Sequence, residues 1–510
     1  MVSKVMGIGL SGLDGYAVEV ETDLRRSDTD AVDIVGLPDA AVREAKNRIK
    51  TALSNSGFHL PDIGVTINLA PANIKKEGSA FDLPMMLGVL SAAEKLPPLP
   101  EKSAFWGEIS LSGQVRPCAG VLAAVITAKN LGFEEIYIPE ENAAEARAVK
   151  GIAIRAVSSL NRLIAHLRRE APIPAEVSTM DSIIQTGEQG EDFASVIGQA
   201  GGKRACEIAA AGGHNLLFIG PPGTGKSMLA KCLPSILPDM TFEEIIESSK
   251  IYSVAGKLSQ SRPLITSRPF VKANQGISSA GLTGGGATPT PGLISLAHNG
   301  VLFIDEMPEF PTRILETLRQ PMEDGNITIS RVKRTLTYPA NFMLVCAMNP
   351  CPCGNFGHPS LKCSCRPGQV AKYIGRISGP LLDRIDLQAE LPPVPVRDLK
   401  HRVPAESSAE IKKRVNRARE MQRERFAKTG CPANGRMNRA LIEKCTMTPS
   451  ARTALESLFE KNALSMRAYD RIIKVARTIA DLAEKETIEE EHIAEAGFFR
   501  SLDKKYWNRF

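Results

Sequence analysis

Long apolar runs are missing from this 510-residue chain. Nothing in it approaches the roughly 20 consecutive apolar residues that carry a helix across a bilayer, so a membrane-spanning protein is not expected. The N-terminus, Met1-Val2-Ser3-Lys4-Val5-Met6-Gly7, moves straight into polar and strand-like sequence. It lacks the apolar core of a secretory signal, and the cytoplasm is the expected compartment. A strong charge of one sign is also missing. A net charge of +6 implies contact with nucleic acid only if the basic residues gather on one surface. No internal repeat of fixed period occurs. What is present is ordinary for a globular protein, with 43% hydrophobic and 24% charged residues. The length suits about three domains, each with its own core. The 10 cysteines, in a long chain of intracellular character, read as reduced thiols and a metal site rather than a disulfide framework.

One motif dominates. Residues 220–227 read Gly220-Pro221-Pro222-Gly223-Thr224-Gly225-Lys226-Ser227, which fits G-x-x-x-x-G-K-[ST]. In that pattern the backbone N–H groups of a glycine-rich turn converge on phosphate oxygens. The lysine reaches the outer phosphates and the hydroxyl coordinates Mg²⁺. The flanks supply the required strand–loop–helix context, with Leu216-Leu217-Phe218-Ile219 before the loop and Met228 to Leu233 after it. Downstream, the apolar run Val301 to Ile304 ends in Asp305-Glu306. In such an enzyme the first carboxylate holds hydrated Mg²⁺ and the second polarises the attacking water. ATP hydrolysis is the expected activity.

A second apolar run, Phe342 to Met348, ends in Asn349, an amide suited either to orienting the water or to capping the turn before Pro350. Gly379-Pro380-Leu381-Leu382-Asp383-Arg384-Ile385-Asp386 places an arginine among acids, which reads as a surface ion pair or as the arginine that one subunit of a ring lends to its neighbour's phosphoryl group.

The rest of the chain falls into segments. Residues 1–170 mix alternating stretches, such as Tyr16-Ala17-Val18-Glu19-Val20 and Gly64 to Leu69, with an amphipathic helix over 39–55. Residues 171–192 are rich in Pro, Glu, Ser and Gln and read as a linker. The ATPase core spans 193–395, ending at Leu391-Pro392-Pro393-Val394-Pro395, and 396–510 is helical. Within the core, Cys351, Cys353, Cys363 and Cys365 form two C-x-C pairs separated by nine residues. Four thiolates so placed suit tetrahedral Zn²⁺, with free thiols or a redox or Fe–S role as alternatives and His358 as a possible substitute ligand. Thr328 to Leu336 alternates and would form a hairpin presenting Arg331, Lys333 and Arg334 to a DNA backbone, or simply to solvent. A second basic stretch runs from Lys412 to Lys428.

Taken together, Ala209 to Asn215 before the loop, Gly292 to Gly300 before Val301, Asn349-Pro350-Cys351-Pro352-Cys353-Gly354, and Ser378 to Asp386 resemble the ComM/YifB family. These are bacterial AAA+ proteins similar to the magnesium-chelatase ATPase subunit. The resemblance covers essentially the whole chain. It implies an α/β architecture of three parts: a Lon-protease-like N-terminal domain of the ribosomal S5 domain 2-like type, a central AAA+ P-loop domain and a C-terminal helical lid. It further implies a hexameric, DNA-dependent ATPase working as a helicase or branch-migration motor, with ComM members aiding integration of transforming DNA by homologous recombination alongside recombination proteins. By the same resemblance Arg384 is the finger acting in trans and Arg467 the second sensor, with Arg471 its close competitor. The chain departs from the family after Arg268-Pro269-Phe270, where Val271-Lys272-Ala273-Asn274-Gln275 replaces Arg-Ala-Pro-His-His.

The N-terminal segment also raises proteolysis as a rival, because Gly107 to Pro117 looks like the strand–turn signature of the Lon protease domain. A Ser-Lys dyad needs a lysine poised to deprotonate its serine. The lysine position falls at or next to Leu122, with no lysine before Lys129, and Ser79 stands one place early with Ala80 at the expected site. The fold is therefore expected without its dyad.

Overall fold

The computed structural model describes residues 2–26, 31–58, 63–178, 191–286, 290–331, 334–394, 406–462 and 465–507. The chain divides into two compact units. The first comprises Met1–Thr186, Phe242–Thr266 and Val332–Tyr338, and the second the remainder.

In the first unit, β1 (Ser3–Ser11) and β2 (Asp14–Arg26) pair antiparallel around a tight turn. Gly12 occupies that turn at φ 67°, where a side chain would be strained. With β3 (Val32–Val35), β4 (Ile63–Ala70), β5 (Ser103–Phe105), β6 (Glu135–Pro139) and β7 (Ala153–Val157) they form a seven-stranded mixed sheet in the order β3-β4-β2-β1-β5-β6-β7. The expected amphipathic helix is Ala40–Asn55. Asp39 caps it by accepting from Val42 N at 2.8 Å. Its buried residues, Val42, Ala45, Ile49, Ala52 and Leu53, recur at helical spacing and face the sheet's core. A second helix, Asp82–Ala92, is buried almost all round.

The helix Phe242–Val254 lies within the expected ATPase span yet belongs to this unit. Ser253 explains its placement. Its carbonyl accepts from Gly120 N at 2.9 Å and its hydroxyl donates to the buried Glu145 at 2.6 Å. The ATPase span 193–395 is thus interrupted twice by segments that fold with the N-terminal sheet.

The second unit is built on a five-stranded, all-parallel sheet. Its strands are β8 (Leu216–Ile219), β9 (Phe270–Ala273), β10 (Val301–Ile304), β13 (Met343–Met348) and β14 (Leu387–Glu390), in the order β9-β10-β13-β8-β14. The uninterrupted apolar runs noted in the sequence are the strands β8, β10 and β13, each wholly buried, as a sheet covered on both faces requires. Between β10 and β13 the chain makes two further strands, β11 (Asn326–Arg331) and β12 (Arg334–Pro339), and the boundary between the units falls between them. The C-terminal helices Ser408–Phe426, Pro449–Asn462, Met466–Leu482 and Glu490–Phe498 share one apolar core with this sheet. Ser407 and Ser465 cap the first and third. Among the described residues no helix is long and apolar enough to cross a membrane.

Candidate nucleotide-binding site

In a parallel sheet, ligands settle beyond the carboxyl ends of the strands, where connections diverge. Three such ends meet here. β8 leads into Gly220, β10 into Asp305 and β13 into Asn349, and β13 lies between the other two.

The loop after β8 needs its glycines for different reasons. At Gly220 a Cβ would meet the Leu391 carbonyl oxygen at 2.4 Å, so the backbones could not approach. Gly223 and Gly225 have φ of 79° and 89°, a region costly for other residues. The helix then starts at Lys226. The Lys226 ammonium donates to the carbonyls of Gly220 at 2.7 Å and Pro221 at 2.8 Å, and to Asn349 Oδ1 at 3.1 Å. Burial lowers its pKa to about 8, although the nearby Asp305 and Glu306 carboxylates favour the charged form.

Next to the lysine, Ser227 Oγ donates to Asp305 Oδ2 at 3.0 Å, joining the two groups expected to share Mg²⁺. The same carboxylate oxygen accepts from Lys272 Nζ at 3.0 Å. Glu306 has φ 51°, in the left-handed region, and its carboxylate accepts from Gln275 Nε2 at 2.6 Å. Lys272 and Gln275 lie in the stretch that departs from the family pattern. The sequence marked the departure, but only the parallel pairing of β9 with β10, with Ala273 opposite Ile304, shows why it matters. Both polar side chains project beside the acidic pair.

After Asn349 come the cysteines. Cys351, Cys353, Cys363 and Cys365 offer sulfurs that all lie within 4.8 Å of one another. His358 is not in that cluster, and its Nδ1 accepts from the backbone of Ser360 and Leu361, each at 3.0 Å.

Arg384 is almost buried. It donates to the Pro380 carbonyl and pairs with Glu323. It lines a cleft of about 270 Å³ with Arg467, Asp470, Arg471 and Lys474. The two candidate second-sensor arginines differ sharply there. Arg471 pairs with the buried Asp386 at 2.9 Å, whereas Arg467 is exposed. Burial alone would raise the Asp386 carboxyl, but Arg471 and His214 hold it well below the usual carboxylate range. Arg471 is the counter-ion of Asp386.

Of the expected DNA contacts, Lys333 lies outside the described residues, Arg331 is the last residue of β11 and Arg334 the first of β12. The basic helix is largely consumed within its own unit. Lys412 pairs with Asp239 at 2.5 Å, Arg414 with Glu207 at 2.6 Å, Arg425 with Asp481 at 2.5 Å, and Arg417 with Glu484. In the N-terminal unit Ser79 donates to Glu108, and Leu122 is fully buried within the helix Val121–Asn130.

Comparison with known proteins matches residues 192–399 to the magnesium chelatase subunit ChlI, 20–142 to a further ChlI model, and 405–500 to the C-terminal part of that subunit. The competence protein ComM of Haemophilus influenzae is 41% identical over 92% of both chains. The Escherichia coli protein YifB is 39% identical over 97% of this chain and 96% of its own. Lon protease 2 of Bacillus subtilis is 27% identical over 180 residues, 32% of each chain. The chain therefore belongs to the ComM/YifB family of magnesium-chelatase-like AAA+ proteins.

Proposed function

We propose that the protein is an ATPase that works as a hexameric ring on DNA, unwinding or branch-migrating strands in support of homologous recombination during natural transformation. The observation that carries the ATPase reading is the convergence of Lys226, Ser227, Asp305, Glu306 and Asn349 at the carboxyl edge of one parallel sheet. The DNA reading is supported by the relative named as a competence protein and by the basic sequence of the β11–β12 segment.

The residues divide the work. Backbone N–H groups of Gly223, Thr224 and Gly225 and the Lys226 ammonium would hold the phosphates of ATP, the ammonium exchanging the two loop carbonyls for phosphate oxygens. Ser227 and Asp305 would hold Mg²⁺, for which a hydroxyl beside a carboxylate is a suitable donor set. That ion supplies charge neutralisation at the phosphate oxygens. Lys272 would release Asp305 on loading, because the ammonium and the cation compete for one oxygen. Glu306 would orient and polarise the attacking water once Gln275 lets its carboxylate go, and Asn349 would fix the water's position. Arg384 from a neighbouring subunit would complete the site, with Arg467 beside it in the same cleft. In each chain, therefore, half of one catalytic centre and half of the next would be present.

The second reading, an ATPase remodelling a protein partner, is favoured by the chelatase-subunit matches across all three segments. DNA-stimulated hydrolysis separates the two. The motor reading expects single-stranded or forked DNA to raise the ATPase rate several-fold, with loss of that stimulation when Arg331, Lys333 and Arg334 are neutralised. An unchanged rate with every DNA form would sink it in favour of the partner-remodelling reading.

A further inference from the structure

Directly behind the phosphate loop stands the four-cysteine cluster, and its dimensions are informative. The sulfurs of Cys351 and Cys353 are 3.4 Å apart, those of Cys353 and Cys363 3.5 Å, and those of Cys351 and Cys363 3.7 Å. Four thiolates about 2.3 Å from one tetrahedral Zn²⁺ stand about 3.8 Å from each other. All four sulfurs lie within 4.8 Å. A disulfide would need about 2.05 Å. An Fe–S cluster distributes its thiolates over several irons and spreads them wider than this. Phe356 N donates to Cys351 Sγ at 3.3 Å, the kind of backbone support that a metal-bound thiolate accepts.

The loop that carries these cysteines is wedged between two functional elements. Asn349, two residues before Cys351, accepts from the Lys226 ammonium. Gly354, one residue after Cys353, has φ 81° and lies so close to the phosphate loop that a Cβ would meet Pro222 Cδ at 2.5 Å. On the far side Phe356 packs against Tyr506, ring centroids 6.2 Å apart, and the Tyr506 hydroxyl donates to Glu390 at the end of β14.

We propose that Cys351, Cys353, Cys363 and Cys365 bind one Zn²⁺, and that the zinc-tied loop is a brace that holds Pro222 and Asn349 in the geometry Lys226 needs for nucleotide. The ion would tie residues 351–365 together at one point and so hold Gly354, at positive φ, against Pro222. Metal and nucleotide sites are therefore coupled, with the loop acting by positioning rather than by touching ATP. The coupling rests on the nucleotide-site reading above, and the zinc assignment does not.

The test uses the full chain and two independent readouts, elemental metal content and equilibrium binding of a fluorescent ATP analogue. Wild type is expected to carry one zinc per chain. Cys353→Ala and mercurial extraction of the metal should each weaken nucleotide binding at least ten-fold, and added Zn²⁺ should restore it in the extracted protein once excess thiol has stripped the mercurial from the cysteines. Gly354→Ala should keep the zinc and still weaken binding, while Lys226→Ala should lose nucleotide with zinc unchanged. Cys365→His, a conservative ligand, should retain both. Stoichiometric iron, disulfides or absence of metal overturns the zinc assignment. Full nucleotide affinity in the zinc-free or Gly354→Ala protein overturns the brace. Failure of zinc-replete wild type to bind nucleotide overturns the site reading and leaves the metal count standing.

Discussion

Both units of the molecule present polar and charged side chains beside glycine-containing turns, yet the partners they find are of different kinds. In the N-terminal unit the groups neutralise one another permanently. Asp82, fully buried, is gripped by Arg48 Nε at 2.8 Å and Nη2 at 2.9 Å. Arg155 Nε likewise donates to Glu135 at 2.7 Å, and Ser79 is tied to Glu108. In the ATPase unit each group is held by a partner that a ligand can replace: Lys226 by loop carbonyls, Asp305 by Lys272, Glu306 by Gln275. A buried bidentate ion pair is costly to break because it strands a charge. A lysine resting on carbonyls exchanges them for phosphate with little loss. The first arrangement stabilises a fold, whereas the second waits for a substrate.

The sharpest way to break this comparison is at Arg384, which is nearly buried as a structural group would be but is assigned a catalytic part. If it acts in trans, Arg384→Ala should lower the ATPase rate by about 10³-fold, the usual scale for an arginine finger. Mixing that variant with Lys226→Ala should then restore activity, since some interfaces would combine one intact Lys226 with one intact Arg384. Unchanged thermal unfolding with no recovery on mixing would place the arginine in its own subunit's site.

A smaller effect concerns pH. In the nucleotide-free protein Lys226 loses its proton near pH 8, because burial lowers its pKa from the ordinary lysine value. Phosphate favours the ammonium, so nucleotide binding takes up a proton and weakens as pH rises through 8. Between pH 7 and 9 the Kd for ATP should rise roughly ten-fold, following one proton lost over that interval. Calorimetry in buffers of different ionisation enthalpy would register the uptake, and a flat profile would contradict the assignment. The smallest expected effect is in the other unit. Ser79→Ala should leave ATP hydrolysis within two-fold of wild type, and neither protein should cleave casein; ATP-dependent proteolysis lost in the variant would reverse the contrast between the units.

Much of this was legible before any coordinates. The apolar runs at 216–219, 301–304 and 343–348 are buried parallel strands, for which no alternation is needed, and the residues after each run form the candidate site. The helix at 40–55 declared itself by the spacing of Val42, Ile49 and Leu53. Other features depend on contacts between segments distant in sequence. Nothing in Phe242–Val254 says which core its Ile245 and Ile251 will join, and the bond from Gly120 to Ser253 that decides it spans more than a hundred residues. Arg467 and Arg471 share a helix face and are separated only by Asp386, which claims the second. Lys272 and Gln275 read as a departure until β9 pairs with β10. The basic helix at 408–426 has the charge of a nucleic-acid surface, but its acidic partners at 207, 239, 481 and 484 are invisible from within it.

On the proposed function Asp305 holds the ion and Glu306 activates the water. The most direct measurement is single-turnover ATP hydrolysis by wild type and Glu306→Gln, with nucleotide binding measured on the same samples. Glu306→Gln should bind ATP as tightly as wild type and hydrolyse it about 10²- to 10³-fold more slowly, the scale expected when a catalytic base is removed. Equal hydrolysis rates in the two proteins would exclude Glu306 from the chemical step.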